Sequence, residues 1–195
     1  MTLGDPSLQA NQPVPTREKQ GMGDVLKALD QAATARRAGD IDGAIAKYNE
    51  AIRINPNGFI YFVLRGQAYS DKADYDRAIA DFSESIRLDP NARAFFSRGV
   101  AYAKKGDLDR AISDYSEAIR LDPKNALAFA NRGADYFKKG DFDRAITDSS
   151  EAIRLDPKSF AWAYCNLGNA KLKKNDSSGN ADLAKARQLD PSICR

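Results

Sequence analysis

Proline recurs at positions 56, 90, 123, 157 and 191, at intervals of 34, 33, 34 and 34 residues, and four of the five follow an aspartate. A fixed period of that size is the mark of a stacked repeat array, and it constrains the fold more than any other property of the chain. Residues 92–125 show the unit most clearly: moved forward they nearly recur as 126–159, and moved back as 59–91.

The physics of one unit follows from residue spacing. Phe95, Gly99 and Tyr102 stand at i, i+4 and i+7, one face of a helix. Gly106-Asp107 then breaks that helix: glycine suits the left-handed C-terminal position, and Asp107 can cap the next helix through its side-chain oxygen. Leu108, Ala111, Ile112, Tyr115 and Ala118 resume helical spacing until Asp122-Pro123 ends the run. Gly99 and Ala111 are the smallest residues on their faces, so the two helices can approach closely there. A pair this short cannot bury its apolar surface alone and needs neighbours.

The same positions recur in the neighbouring units. First helices carry Phe62, Phe95 and Phe129, then Gly66, Gly99 and Gly133, then Tyr69, Tyr102 and Tyr136. Second helices carry Tyr75, Leu108 and Phe142, then Ala78, Ala111 and Ala145, then Phe82, Tyr115 and, out of line, Ser149. Period and residues together resemble the tetratricopeptide repeat (TPR), in the bacterial-type tandem form, over roughly residues 24–191. The resemblance implies an all-α fold in which tandem helix-turn-helix repeats form a right-handed superhelical solenoid. Its first helices would line a concave groove that holds a peptide or partner protein without catalysis. Self-assembly as a scaffold element, or service as the regulatory part of a larger enzyme or complex, are the alternatives it leaves open.

Residues 1–23, with Pro6, Pro13 and Pro15 and no periodicity, read as a flexible leader. Five repeats are expected at about 25–58, 59–91, 92–125, 126–159 and 160–191, followed by a tail at 192–195. Leu26, Leu29 and Ala32 open the first repeat, and Gly39-Asp40 turns it. Ser149 in an aromatic's place should seat the second helix of its repeat less tightly, since a large-to-small core change costs a few kcal/mol uncompensated. The fifth repeat is degenerate: Lys171 replaces the tyrosine, and residues 175–180 erode the turn.

Histidine is absent, so neither a Ser-His-Asp nor a Cys-His arrangement can be built, and the commonest metal ligand is missing. The recurring acids Asp107/Asp109 and Asp141/Asp143 fall at helix starts, where they favour the dipole. No enzyme activity, metal or other cofactor is expected. A net charge of +3 is too small to imply nucleic acid. No apolar run approaches the ~18 residues of a membrane span. No basic segment followed by an apolar stretch marks a signal peptide, which makes the cytoplasm the default compartment. The charges interleave as Arg77/Asp81, Arg110/Asp114 and Arg144/Asp148, four apart. Glu50/Arg53, Glu84/Arg87, Glu117/Arg120 and Glu151/Arg154 stand three apart. Within a helix each such pair contributes roughly 0.2–0.5 kcal/mol.

A second apolar stripe lies one residue further round the first helices. Phe96, Val100 and Ala103 form it in one unit, Ala130, Ala134 and Phe137 in the next, and Val63, Gln67 and Ser70 in the previous one. Ile60, Leu127 and Trp162 extend it at the helix starts, and Asn131 and Asn166 add amides. These residues are the expected peptide-binding surface, unless neighbouring first helices bury the stripe. One branch of the family clamps a C-terminal carboxylate with Lys, Asn and Arg. Here Val63, Gln67, Phe96 and Val100 stand where Lys and Asn would be needed, so that mode is not expected. Lys104, Lys138 and Lys173 end first helices as a basic rim, where cations complement the helix dipole and can also steer an acidic partner.

Cys165 falls early in the last first helix and Cys194 just past the end of its antiparallel partner. Either the two pair, closing a loop of about thirty residues worth on the order of 3 kcal/mol, or Cys165 is a small buried residue and Cys194 an unrelated thiol. Pairing would place the chain in an oxidising compartment, periplasmic or secreted.

Overall fold

A computed structural model describes residues 17–194, with side chains from residue 21 onward. All ten elements of this span are α-helices. They fall into two compact units that part between Asn57 and Gly58.

The first unit holds α1 (Arg17–Arg37) and α2 (Ile41–Ile54). Helix α1 begins at Arg17, so residues 17–23, expected to be flexible, are helical; residues 1–16 lie outside the described span. The buried stripe of α1 is Val25, Ala28 and Ala32, whereas Leu26 is 61% exposed. Leu26 therefore does not open the core as its spacing suggested.

The second unit contains four helix pairs in succession. They are α3 (Phe59–Asp71) with α4 (Tyr75–Leu88), α5 (Ala92–Lys104) with α6 (Leu108–Leu121), α7 (Ala126–Lys138) with α8 (Phe142–Leu155), and α9 (Ala161–Lys173) with α10 (Gly179–Leu189). Each second helix packs on the next first helix, and successive first helices touch. Small residues make the contact intimate: Ala78, Ala111, Ala145 and Ala186 are fully buried, as are Phe82 and Tyr115. Ser149 is also fully buried, with Gly133 closing onto it. Helix α8 is thus seated on α7 despite the missing aromatic, and the cost appears instead as a buried Ser149 hydroxyl without a hydrogen-bond partner.

The turns use aspartate twice over. Asp40, Asp74, Asp107 and Asp141 each accept a backbone N–H three residues on, capping the second helices. Asp74, Asp107 and Asp141 also take the guanidinium of Arg77, Arg110 and Arg144. These arginines therefore do not pair with Asp81, Asp114 and Asp148, as their four-residue spacing suggested. The three-residue pairs Glu84–Arg87, Glu117–Arg120 and Glu151–Arg154 do form, while Glu50 pairs with Lys47. Gly106 and Gly140 supply the left-handed residue before their caps at φ 84° and 80°; in the α3–α4 turn Ala73 takes it at φ 58°.

Hydrogen bonds from Arg77, Arg110 and Arg144, side-chain and backbone, hold the capping carboxyls below the usual aspartate range. The unfolded chain binds protons first as pH falls, so this contribution is complete above the unfolded value near 3.8 and is lost below it. Asp81 opposes the trend, because burial raises its carboxyl. Since the lowered groups outnumber it, the thermal midpoint is expected to fall on acidification from pH 6 to pH 3. A midpoint that holds or rises would show that the caps do not carry the acid response.

Candidate functional site

The surface available for binding is decided by what the first helices spend on holding the array together. The residue before each glycine of the first helix, Arg65, Arg98 or Arg132, reaches across to its own second helix. It forms two-pronged ion pairs with Asp81, Asp114 and Asp148, with closest distances of 2.6, 2.8 and 2.7 Å. These carboxylates are 5–8% exposed. Arg98 Nη1 also donates to Ser83 Oγ at 3.0 Å, and Arg132 Nη1 to Ser116 Oγ at 2.9 Å, which ties each repeat to the one before it. Each serine hydroxyl in turn donates to a carbonyl one turn back, Ile79 O or Ile112 O.

Aromatic rings flank these guanidinium groups. Phe62, Phe95 and Phe129 each lie 5.6 Å from theirs, and Tyr102 and Tyr136 lie 6.0 Å away. In the last repeat Leu167 replaces the arginine, and Lys171, in the tyrosine's place, pairs with Asp182 at 2.7 Å. The departure at Lys171 is thus a relocated ion pair.

The expected binding stripe is only partly available. Val63 is fully buried in a cluster with Ala78, Phe82, Ala94 and Ala101, and Ile60 packs against that cluster. Val63 belongs to the contact between repeats and not to a groove. Phe96 is half-buried and leans on Tyr115, ring centroids 5.8 Å apart. Phe137 leans on Phe142 at 5.6 Å and joins the cluster of Tyr136, Ala145 and Ala170. Trp162 meets Phe160 edge-on at 6.0 Å beside Ala130, Ala152 and Ala163.

Accessible surface runs along an adjacent row. Arg93, Ser97, Val100 and Lys104 on α5 are exposed or half-buried, as are Leu127, Asn131, Ala134 and Lys138 on α7 and Trp162, Asn166, Asn169 and Lys173 on α9. Leu127 is 46% exposed. Ile60, Leu64, Gln67 and Asp71 continue the row on α3, and Arg93 Nη2 donates to Gln67 Oε1 at 3.1 Å, bringing the α3 and α5 rows together. Val100, Leu127, Asn131, Trp162 and Asn166 therefore share this row. Gln67, Val100 and Ala134 of this row already stood in the expected stripe, whereas Arg93, Ser97 and Asn169 did not, because they lack the apolar character that defines it.

The row ends in the basic rim. Lys105, Lys139 and Lys174, the second lysine at each helix end, bridge to Asp76, Asp109 and Asp143 of the preceding repeat. The first lysines point elsewhere: Lys104 and Lys173 are exposed, and Lys138 pairs with Asp135 at 2.7 Å. Asp135 is itself buried, with Oδ2 unpartnered, where α3, α5 and α9 carry Ala68, Ala101 and Ala170. Burial, with Asp135 and Asp114 near it, pushes the Tyr115 phenol far above its ordinary value, so it stays protonated. No cluster of three or more metal-binding side chains occurs among the described residues, and none of their helices is long and apolar enough to cross a membrane.

A tetratricopeptide-repeat family model matches residues 63–126, and a second TPR-repeat model matches residues 36–72 and 133–175. Among solved structures, the MamA protein superposes with a TM-score of 0.77 at 26% identity, over 87% of this chain and 93% of its own. MamA from Desulfovibrio magneticus RS-1 gives 0.78 at 21% identity, covering 88% and 98%. YrrB, described as a TPR protein with an unusual peptide-binding site, gives 0.74 at 20%, covering 93% and 94%. No curated protein sequence matches the chain.

Proposed function

Because this chain belongs to the tetratricopeptide-repeat family, whose modules serve protein–protein interaction, we propose that it holds an extended segment of a partner protein along the row shared by α5, α7 and α9. The observation that carries the reading is the repetition of that row. Each of the three helices offers a half-exposed position next to apolar or amide groups and ends in a lysine, while the bulk of its other face is committed to packing. Leu127, Val100 and Trp162 supply apolar contact, and Asn131, Asn166 and Asn169 can each donate to and accept from a peptide backbone. Lys104 and Lys173 favour carboxylates on the bound segment, while Lys138, between them, is already paired with Asp135. Binding of this kind needs no catalytic group.

The test is selection of peptides from an immobilised library by the whole chain, followed by affinity measurements on those enriched. Changing Leu127→Ala with Asn131→Ala is expected to weaken them at least tenfold, about 1.4 kcal/mol. The thermal midpoint should move little, since both side chains are accessible. Phe96 and Phe137 are poor probes, because they lean on Tyr115 and Phe142 and their loss would disturb packing. Enriched peptides that bind the double variant as tightly as the parent would place recognition elsewhere. Enrichment without any excess of Asp and Glu would remove the rim lysines from the account.

A further inference from the structure

Cys165 and Cys194 are joined as a disulfide, with Cα atoms 5.9 Å apart. Cys165 stands three residues before Gly168, the place held by Val63 before Gly66 and by Ala130 before Gly133. At those two places the side chain is fully buried in a cluster that reaches the next first helix. Val63 shares its cluster with Ala94, and Ala130 shares its cluster with Phe160 and Ala163. In α5 the same place is Phe96, half-buried against Tyr115, so Cys165 occupies a position that is fully covered in two of the three preceding repeats. What covers it is the segment after α10. Ser192 donates to Asp190 Oδ1 through its N–H at 2.9 Å and its hydroxyl at 2.6 Å, and Ile193 N–H donates to Asp190 O at 3.2 Å, turning the chain back. Ile193 and Cys194 are half-buried at the end of this turn. Ala94, Ala128 and Ala163 follow their prolines by four, five and six residues, and Cys194 follows Pro191 by three, so the segment arrives where a first helix would begin.

We infer that residues 191–194 form a tethered cover over the outer face of α9, and that thiol–disulfide exchange releases it. The chemistry is complete with a dithiol as reductant. Its thiolate attacks one Sγ, the protein S–S bond breaks as a mixed disulfide forms, and the second thiol of the reductant resolves that intermediate. Two electrons pass to the protein, leaving Cys165 and Cys194 as thiols and the reductant as a cyclic disulfide. Released from the tether, a short segment held by three hydrogen bonds, all of them to Asp190 at its own base, has little to keep it on α9. The face opened this way has the character of a contact between repeats and centres on Cys165, beside the accessible row, where Asn169 Nδ2 lies 3.6 Å from Cys165 Sγ.

The experiment uses the whole chain. Thiol counting after denaturation without reductant is expected to find no free thiol; two per chain would end the proposal. In Cys194→Ser, the thiol of Cys165 is then titrated with a bulky maleimide under native conditions. With the cover released, labelling should proceed within about tenfold of the rate in denatured protein, since the thiol is then open to solvent. Labelling a hundredfold slower would mean that the segment stays seated without its bond, and the disulfide is a staple only. Hydrogen exchange across α5 and α6, unchanged between the parent and Cys194→Ser, is expected to show local release; acceleration there would mean general unfolding and would also overturn the inference.

Discussion

Arg98→Ala is expected to lower the unfolding free energy by about 3–5 kcal/mol, the largest effect of any single change on this chain. The reason lies less in what Arg98 contributes than in what its loss leaves behind. Asp114 is 7% exposed and would be left without its guanidinium partner, and Ser83 would lose the donor that crosses from the next repeat. The Arg65–Asp81 pair shows the balance directly: burial raises the Asp81 carboxyl despite the opposing pull of Arg65, while the bond to Asp81 holds the Arg65 guanidinium charged. A pair of this kind costs desolvation to assemble and costs more to break. Replacing both ends, Arg98→Met with Asp114→Leu, should therefore recover most of the loss. Urea denaturation of the three variants is the measurement. A cost under about 1 kcal/mol for Arg98→Ala would mean that water reaches Asp114 and the pair is a surface contact.

Gly168→Leu should be nearly as damaging, at more than about 2–3 kcal/mol. A Cβ at Gly168 would lie 2.6 Å from the carbonyl oxygen of Gly179, and one at Gly179 would lie 2.4 Å from that of Gly168. Here two backbones face each other, and neither can swing aside. At Gly66 and Gly99 the obstacle is a ring, Phe82 or Tyr115, at 2.8 Å, which can tilt. At Gly133 the nearest atom is the Ser149 hydroxyl at 3.0 Å. Alanine substitutions should follow the same order, with Gly168→Ala the worst and Gly133→Ala the mildest. Thermal midpoints of the four alanine variants read this ranking, and equal losses across them would contradict the packing.

The helix pairs were legible because their signals are local: Gly106 and Asp107 carry turn and cap within two residues, and Pro123 marks the stop. The Arg98–Asp114 pair was not, although both residues recur in three repeats. Arg110 stands four residues from Asp114 and satisfies the local rule, so nothing within α6 reveals that Asp107 claims Arg110 and leaves Asp114 to a helix sixteen residues away. The binding surface shows the same limit. Adjacent residues on a helix differ by about 100° in direction, and Phe96 and Ser97 are equally good starts for a row. Only the neighbouring helices decide that Val63 is sealed between α3 and α5 while Leu127 stays open.

The bond from Arg98 to Ser83, repeated from Arg132 to Ser116, makes the α5–α6 unit both donor and acceptor of the same joint. A unit so equipped is interchangeable in heredity: a duplication or deletion of one whole period creates no new kind of junction. Removing residues 92–125 would bring the serine of α4 opposite the arginine of α7, with the same chemistry on both sides of the cut. Such a gene can change its reach by whole repeats without relearning how to fold.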